Sequence, residues 1–313
     1  MAGTDVVLLF PGQGSQKTGM GADLAAAHPA AHAVFDAADT VLGMPLGRLC
    51  FEGPDEELTR TQNAQPALLA HGAAAWAVVR EAIGPRVRAA AGHSLGEFTA
   101  YHAAGALPLE DAVRVVRRRG ELMAQSGAER PGAMVAILGL DERAVEAACR
   151  DAAGSGIVVP ANYNAPDQLV ISGEVAAVEE AMRLAKDAGD KRVIRLNVSG
   201  AFHSPLMAVA AEGLGEALDG VVGTPAVPVY ANVTAQPVRD GGTAARLLLE
   251  QLASPVRWTE TIRALVAEWP GALFVELGPG TVLANLVRRI APGTATAPCG
   301  TAADVDALLA RLS

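Results

Sequence analysis

The first stretch of the chain that avoids polar residues altogether is 6–10, Val-Val-Leu-Leu-Phe, and it breaks at once into Pro11-Gly12-Gln13-Gly14. Apolar residues without alternation, closed by turn formers, predict a short strand buried on both faces of a parallel sheet. Apolar positions at helical spacing follow over 22–42 and 66–83. A second short apolar run covers 87–91 and stops at Gly92, after which 95–104 has helical composition. The order is strand, turn, helix.

Beyond Gly127-Ala128-Glu129-Arg130-Pro131-Gly132 the rhythm changes. Strands are expected at 133–138, 157–162, 168–172 and 192–198, with helices at 142–152 and 175–188. That βαββαβ succession is the ferredoxin-like order. Ser199-Gly200 closes it, and Ser204-Pro205 reads as an N-cap with proline at the first helical position of a helix running to about 218. Strand patterns return at 227–232 and 273–277. The predicted organisation is an α/β protein in which a small domain, 129–198, is inserted into a discontinuous large domain, 1–128 and 199–313.

Composition narrows the classes. With 313 residues, 50% hydrophobic and 19% charged, and a mean hydropathy of +0.25, the chain is globular rather than disordered. Its longest apolar runs fall far short of the roughly 18 residues a membrane helix needs. The start, Met-Ala-Gly-Thr-Asp, lacks the basic and long apolar regions of a signal peptide, so a cytoplasmic protein is expected and the sequons at Asn197 and Asn232 carry no meaning. Cys50, Cys149 and Cys299 are widely separated, without CxxC spacing, and read as buried reduced thiols rather than metal ligands. A net charge of -9 disfavours nucleic acid and anionic membranes as partners.

Gly92-His93-Ser94-Leu95-Gly96 fits G-x-S-x-G between a short apolar strand and a helix, the setting in which that motif presents a serine nucleophile. Serine needs a base. Of six histidines, His28 and His32 lie on a polar helix, His71 and His102 within alanine-rich helices, and the turn should aim His93 elsewhere. That leaves His203, in the loop before Ser204-Pro205. Its imidazole must be held in one tautomer by Asp167, Asp190 or a backbone carbonyl. Gly12-Gln13-Gly14-Ser15-Gln16 lacks the third glycine or the Gly-Lys of a phosphate loop. Beside a nucleophile turn, such a loop can instead supply an oxyanion-hole N–H, partnered by the N–H of Leu95. Ala112, Val115, Val116, Arg119, Leu122 and Met123 share one helical stripe, while Arg114, Arg117, Arg118 and Glu121 face away. An inward Arg119 needs an anion, either a buried carboxylate of the protein or a carboxylate of the substrate.

Taken together, these residues resemble the malonyl-CoA:acyl-carrier-protein transacylases and the acyltransferase domains of polyketide synthases. The likeness runs through Phe10-Pro-Gly-Gln13-Gly-Ser-Gln16, Gly92-His93-Ser94-Leu95-Gly96-Glu97, Arg117-Arg118-Arg119-Gly120, Ala201-Phe202-His203-Ser204, Gln251-Leu-Ala-Ser-Pro255-Val256 and Glu276-Leu-Gly278-Pro279-Gly280. Ser199-Gly200, before the histidine loop, departs from many malonyl-type members. The resemblance implies an α/β-hydrolase-like large domain with a ferredoxin-like insert. It implies an acyl-Ser94 intermediate, His203 as general base and acid, and a carbonyl near Gln251 orienting His203. Backbone N–H groups of Gln13 and Leu95 would form the oxyanion hole, and Arg119 would hold the free carboxylate. Asn162 and Asn164 match asparagines bordering the family's cleft, and Phe202 with Leu95 matches its malonyl-selective pattern.

The implied partners are a CoA thioester and an acyl carrier protein, with no cofactor and a monomeric enzyme. Carrier docking on an acidic enzyme requires a local basic patch, for which Arg117, Arg118, Lys186, Lys191 and Arg192 are the candidates. An acyl hydrolase on the same scaffold and a non-catalytic docking module are the competing readings.

Overall fold

The computed structural model describes residues 4–189, 192–198 and 200–312. Its strands are β1 (Val6–Phe10), β2 (Val87–Gly92), β3 (Gly132–Leu138), β4 (Val158–Ala165), β5 (Gln168–Glu174), β6 (Arg192–Arg195), β7 (Val229–Tyr230), β8 (Pro237–Val238), β9 (Leu273–Glu276) and β10 (Thr296–Pro298). They form two sheets, in the orders β10-β9-β1-β2-β7-β8 and β4-β5-β3-β6. β10, β9, β1, β2 and β7 are mutually parallel. β8 alone turns back antiparallel on β7.

The unbroken apolar run of β1 follows from its central position. Successive side chains of a strand point to opposite faces, so Val6, Leu8 and Phe10 enter one core with Leu69, Ala73 and Leu107. Val7 and Leu9 enter a second core with Trp258, Ile262 and Phe274. β3 obeys the same rule in the smaller sheet: Val135 and Ile137 pack with Val145, Ile171 and Val178, whereas Met134 and Ala136 join the main core. All four small-sheet strands lie in the expected ferredoxin-like order and pair antiparallel.

Several boundaries differ from the sequence expectation. The helix expected at 22–42 divides into Ala22–Ala27 and Pro29–Leu42, because Pro29 lacks an N–H and opens a new first turn. The helix expected from 66 begins at Thr61, carrying Pro66 inside it. Proline cannot donate to the carbonyl four residues earlier, that of Gln62, and Arg117 Nη1 supplies the donor at 3.2 Å. Arg117 also bonds Asn63 Oδ1 at 2.8 Å and Glu121 Oε1 at 2.6 Å. It is a structural clamp, which removes it from the expected docking patch. Strand 227–232 contracts to Val229–Tyr230 and strand 192–198 to Arg192–Arg195. After Ser204, whose hydroxyl accepts from the N–H of Leu206, the chain runs as a 3₁₀ turn over Pro205–Ala210 before the Ala211–Leu218 helix. Asp190, Lys191 and Ser199 lie outside the described residues.

β1 and β2 end side by side, with Phe10 opposite Gly92, so their following loops share the carboxyl edge where open parallel sheets bind ligands.

Candidate active site

Ser94 occupies the turn between β2 and the Leu95–Ala103 helix with φ 52° and ψ -107°, a conformation that L-residues seldom adopt. The flanking glycines make the turn possible. A Cβ on Gly92 would lie 1.9 Å from the backbone of Gly96, and one on Gly96 would lie 2.0 Å from the carbonyl oxygen of Phe10. The strain is held by Asn232, whose Nδ2 donates to Gly92 O and whose Oδ1 accepts from Ser94 N, both at 2.7 Å.

The turn delivers Ser94 Oγ to within 2.7 Å of His203 Nε2. His203 is buried, also with positive φ, and its Nδ1 lies 2.9 Å from the carbonyl of Gln251 and 3.1 Å from that of Ser254. Two carbonyls can only accept, so Nδ1 carries the proton and Nε2 is free to receive one from Ser94. Burial first, then the charge of Arg119, holds the imidazole down to about 3, keeping it neutral, with Nε2 unprotonated, at physiological pH. The carbonyl alternative for the orienting group therefore prevails: Asp167 is ion-paired with Arg289 at 2.5 Å on an exposed edge. His93 lines the same cleft but is engaged elsewhere, its Nε2 at 2.7 Å from Asn164 Oδ1 and its ring against Trp258.

Arg119 does face inward, 1% exposed. Nη1 donates to Gln65 Oε1 at 2.8 Å; Nη2 donates to Gln251 Oε1 and to Ser94 Oγ, each at 3.0 Å. Nε has no partner. None of these acceptors is charged, so among the described residues no carboxylate pairs with it directly. Burial lowers it to about 10, and the field of Glu97 works the other way.

A cleft of about 290 Å³ opens over Ser94, its walls including Gln13, Met123, Met134, Asn162, Leu196 and Phe202. Gln13 and Leu95 flank it, and among the described residues neither backbone N–H is bonded to an acceptor. Three polar side chains of the site were not singled out by sequence reasoning: Gln65, Asn232 and Glu97. Glu97 lay in the quoted motif, and an acid on a helix otherwise rich in buried residues was its only signal. Its Oε2 accepts from Gln251 Nε2 at 2.7 Å and from Asn232 N at 3.0 Å.

A serine turn, a carbonyl-held histidine and a buried arginine on this scaffold define a serine acyltransferase, and the chain belongs to the acyl transferase domain family, which it matches over residues 7–301. It is 47% identical over 287 residues to the malonyl CoA-acyl carrier protein transacylase of Bacillus subtilis, across 91% of this chain and 90% of that one. The solved malonyl-CoA:acyl carrier protein transacylase of Xanthomonas oryzae pv. oryzae superposes with a TM-score of 0.94 at 41% identity, covering 100% of both chains. A type II polyketide acyl-carrier protein in complex with its malonyl-transacylase contains a chain matched with a TM-score of 0.94, 41% identity, and coverage of 98% of this chain and 100% of that one.

Proposed function

We propose that the protein moves a malonyl group from CoA to the phosphopantetheine thiol of an acyl carrier protein through an acyl-Ser94 intermediate. Ser94 Oγ attacks the thioester carbonyl as its proton passes to His203 Nε2. The oxyanion is received by the N–H groups of Gln13 and Leu95. On collapse the C–S bond breaks, and His203 returns the proton to the departing CoA thiolate. The carrier thiol then reverses the sequence, giving its proton to His203 as its sulfur attacks the acyl-Ser94 carbonyl, and Ser94 regains a proton when its ester bond breaks. Positioned acid–base catalysis of this kind contributes about 10² to 10⁴ in rate.

The observation that carries the malonyl reading is Arg119: a buried cation with only neutral acceptors, one of its nitrogens 3.0 Å from the nucleophile. A malonyl carboxylate is two bonds from the reacting carbonyl carbon, so a chain acylated on Ser94 places it within reach of that guanidinium. Phe202 on the wall sets the room at the α-carbon. The names of the relatives support transfer over hydrolysis. The cycle as proposed needs no cofactor, and a monomeric enzyme acting in the cytoplasm is part of the same proposal. Exposed Arg118, Lys186 and Arg192 are the described candidates for carrier docking.

Incubation with radiolabelled malonyl-CoA, with and without carrier protein, tests this reading. Transfer predicts covalent label that moves to carrier and is absent from Ser94→Ala. Label lost to water supports the hydrolase, and no label the docking module.

A further inference from the structure

Glu97 is a fully buried carboxylate linked through Gln251 and Asn232 to the serine turn, Arg119 and His203. Oε2 grips the Gln251 amide, which donates from the same Nε2 to Ser94 O at 3.0 Å and accepts Arg119 through its Oε1, while the Gln251 main-chain carbonyl receives His203. Oε2 also holds the backbone N–H of Asn232, whose side chain clamps the serine turn. Oε1 is different: it is buried and has no hydrogen-bond partner among the described residues.

The charges around it are few. Arg119 reaches it from the Leu109–Glu129 helix, and Tyr101 lies one turn further along its own helix, a phenol that burial pushes well above its usual range. The segments carrying Gln251 and Asn232 present only neutral amides to it. His203 feels Arg119 and His93. One buried cation thus faces one buried acid through a shared glutamine, without touching it.

We propose that Glu97 is the counter-charge of Arg119 while the pocket is empty and takes up a proton from solvent at Oε1 when a substrate carboxylate replaces it. The inference rests on the malonyl reading of the pocket. A second anion within the field of one guanidinium leaves the buried site with a net negative charge, which a low-dielectric interior opposes. Protonation at Oε1 removes that charge and breaks no hydrogen bond; protonation at Oε2 would disturb two. Burial already raises Glu97 to about 7, against the pull of its amide partners and Arg119, so the proton is available at physiological pH.

The test uses Ser94→Ala protein, which holds the thioester without reacting. Titration calorimetry near pH 7.5 in buffers of different ionisation enthalpy measures protons taken up with malonyl-CoA and with acetyl-CoA, the second cancelling the CoA portion. Malonyl-CoA should take up roughly half a proton or more beyond acetyl-CoA, and its Kd alone should weaken by up to about tenfold per pH unit above 7. Adding Glu97→Gln, which keeps an oxygen for Asn232 and Gln251, should abolish the excess and flatten the Kd. Adding His203→Ala instead should leave the excess in place. Equal uptake with both esters overturns the proposal, as does an excess that survives Glu97→Gln or disappears with His203→Ala. Malonyl-CoA that fails to bind more tightly than acetyl-CoA at pH 7 overturns the malonyl reading itself.

Discussion

Truncating Arg119 to alanine separates a substrate-binding cation from a structural one. The side chain is fully buried and bonded to Gln65, Gln251 and Ser94. Removing it orphans the two glutamine oxygens, at about 1 to 3 kcal/mol each. Against that, removal relieves the burial that lowers the guanidinium from 12.5 to about 10, worth about 3 kcal/mol at 1.36 per unit. The two partly cancel, but the deletion also leaves a cavity and strips buried Glu97 of its counter-charge, so the melting temperature should fall. For the acyl donor the terms do not cancel. A malonyl carboxylate left buried and unpaired costs about 2 to 5 kcal/mol, hence roughly 30-fold to several thousand-fold in kcat/KM. Acetyl-CoA has no carboxylate and loses only the donor to Ser94 Oγ, a loss shared by both esters. The malonyl-to-acetyl ratio of kcat/KM, measured beside a thermal melt, therefore isolates the carboxylate. A ratio unchanged from wild type, with or without a large melting shift, would refute the assignment.

In a competition of equal malonyl-CoA and methylmalonyl-CoA, the Phe202 ring should favour malonyl by roughly 10- to 200-fold, the worth of one methyl in a fitted pocket; mass spectrometry showing a methylmalonyl majority would reject this. Charge reversal at Arg118, Lys186 and Arg192 should raise the KM for carrier protein and leave that for malonyl-CoA unchanged, and equal effects on both would reject docking there. Glu276 accepts the N–H groups of Leu283 and Ala284 at the start of the Val282–Ile290 helix, yet burial raises it from 4.5 to about 7. A folded-state pKa above the unfolded one means the folded protein holds the extra proton, so this contribution is full below pH 4.5 and is lost as pH rises to about 7. It amounts to about 3 kcal/mol, and denaturant titrations of Glu276→Gln should show a correspondingly shallower decline over that window.

What the sequence by itself determined is whatever a short window can encode. The continuous apolar run of Val6–Phe10 announced a strand covered on both faces, because alternate side chains must each find a core. Glycines two residues either side of Ser94 announced a turn that no Cβ could fit. The spacing of Ala112, Val115, Val116 and Met123 announced that Arg119 points inward before any partner for it was in view. Tertiary structure alone decided who meets these residues. Glu97 lies 154 positions from Gln251 and 135 from Asn232, and Arg119 lies 54 from Gln65. Arg117 looked like free surface charge because the carbonyl it satisfies is exposed by Pro66, on a different helix. Asp167 looked available for His203 because nothing near it in sequence shows that Arg289 occupies it. The division has a physical cause. Hydrophobic burial is non-directional and follows the local period of strand or helix. A buried polar atom instead requires one specific partner at hydrogen-bond distance, and the folded chain can draw that partner from any distance along the sequence.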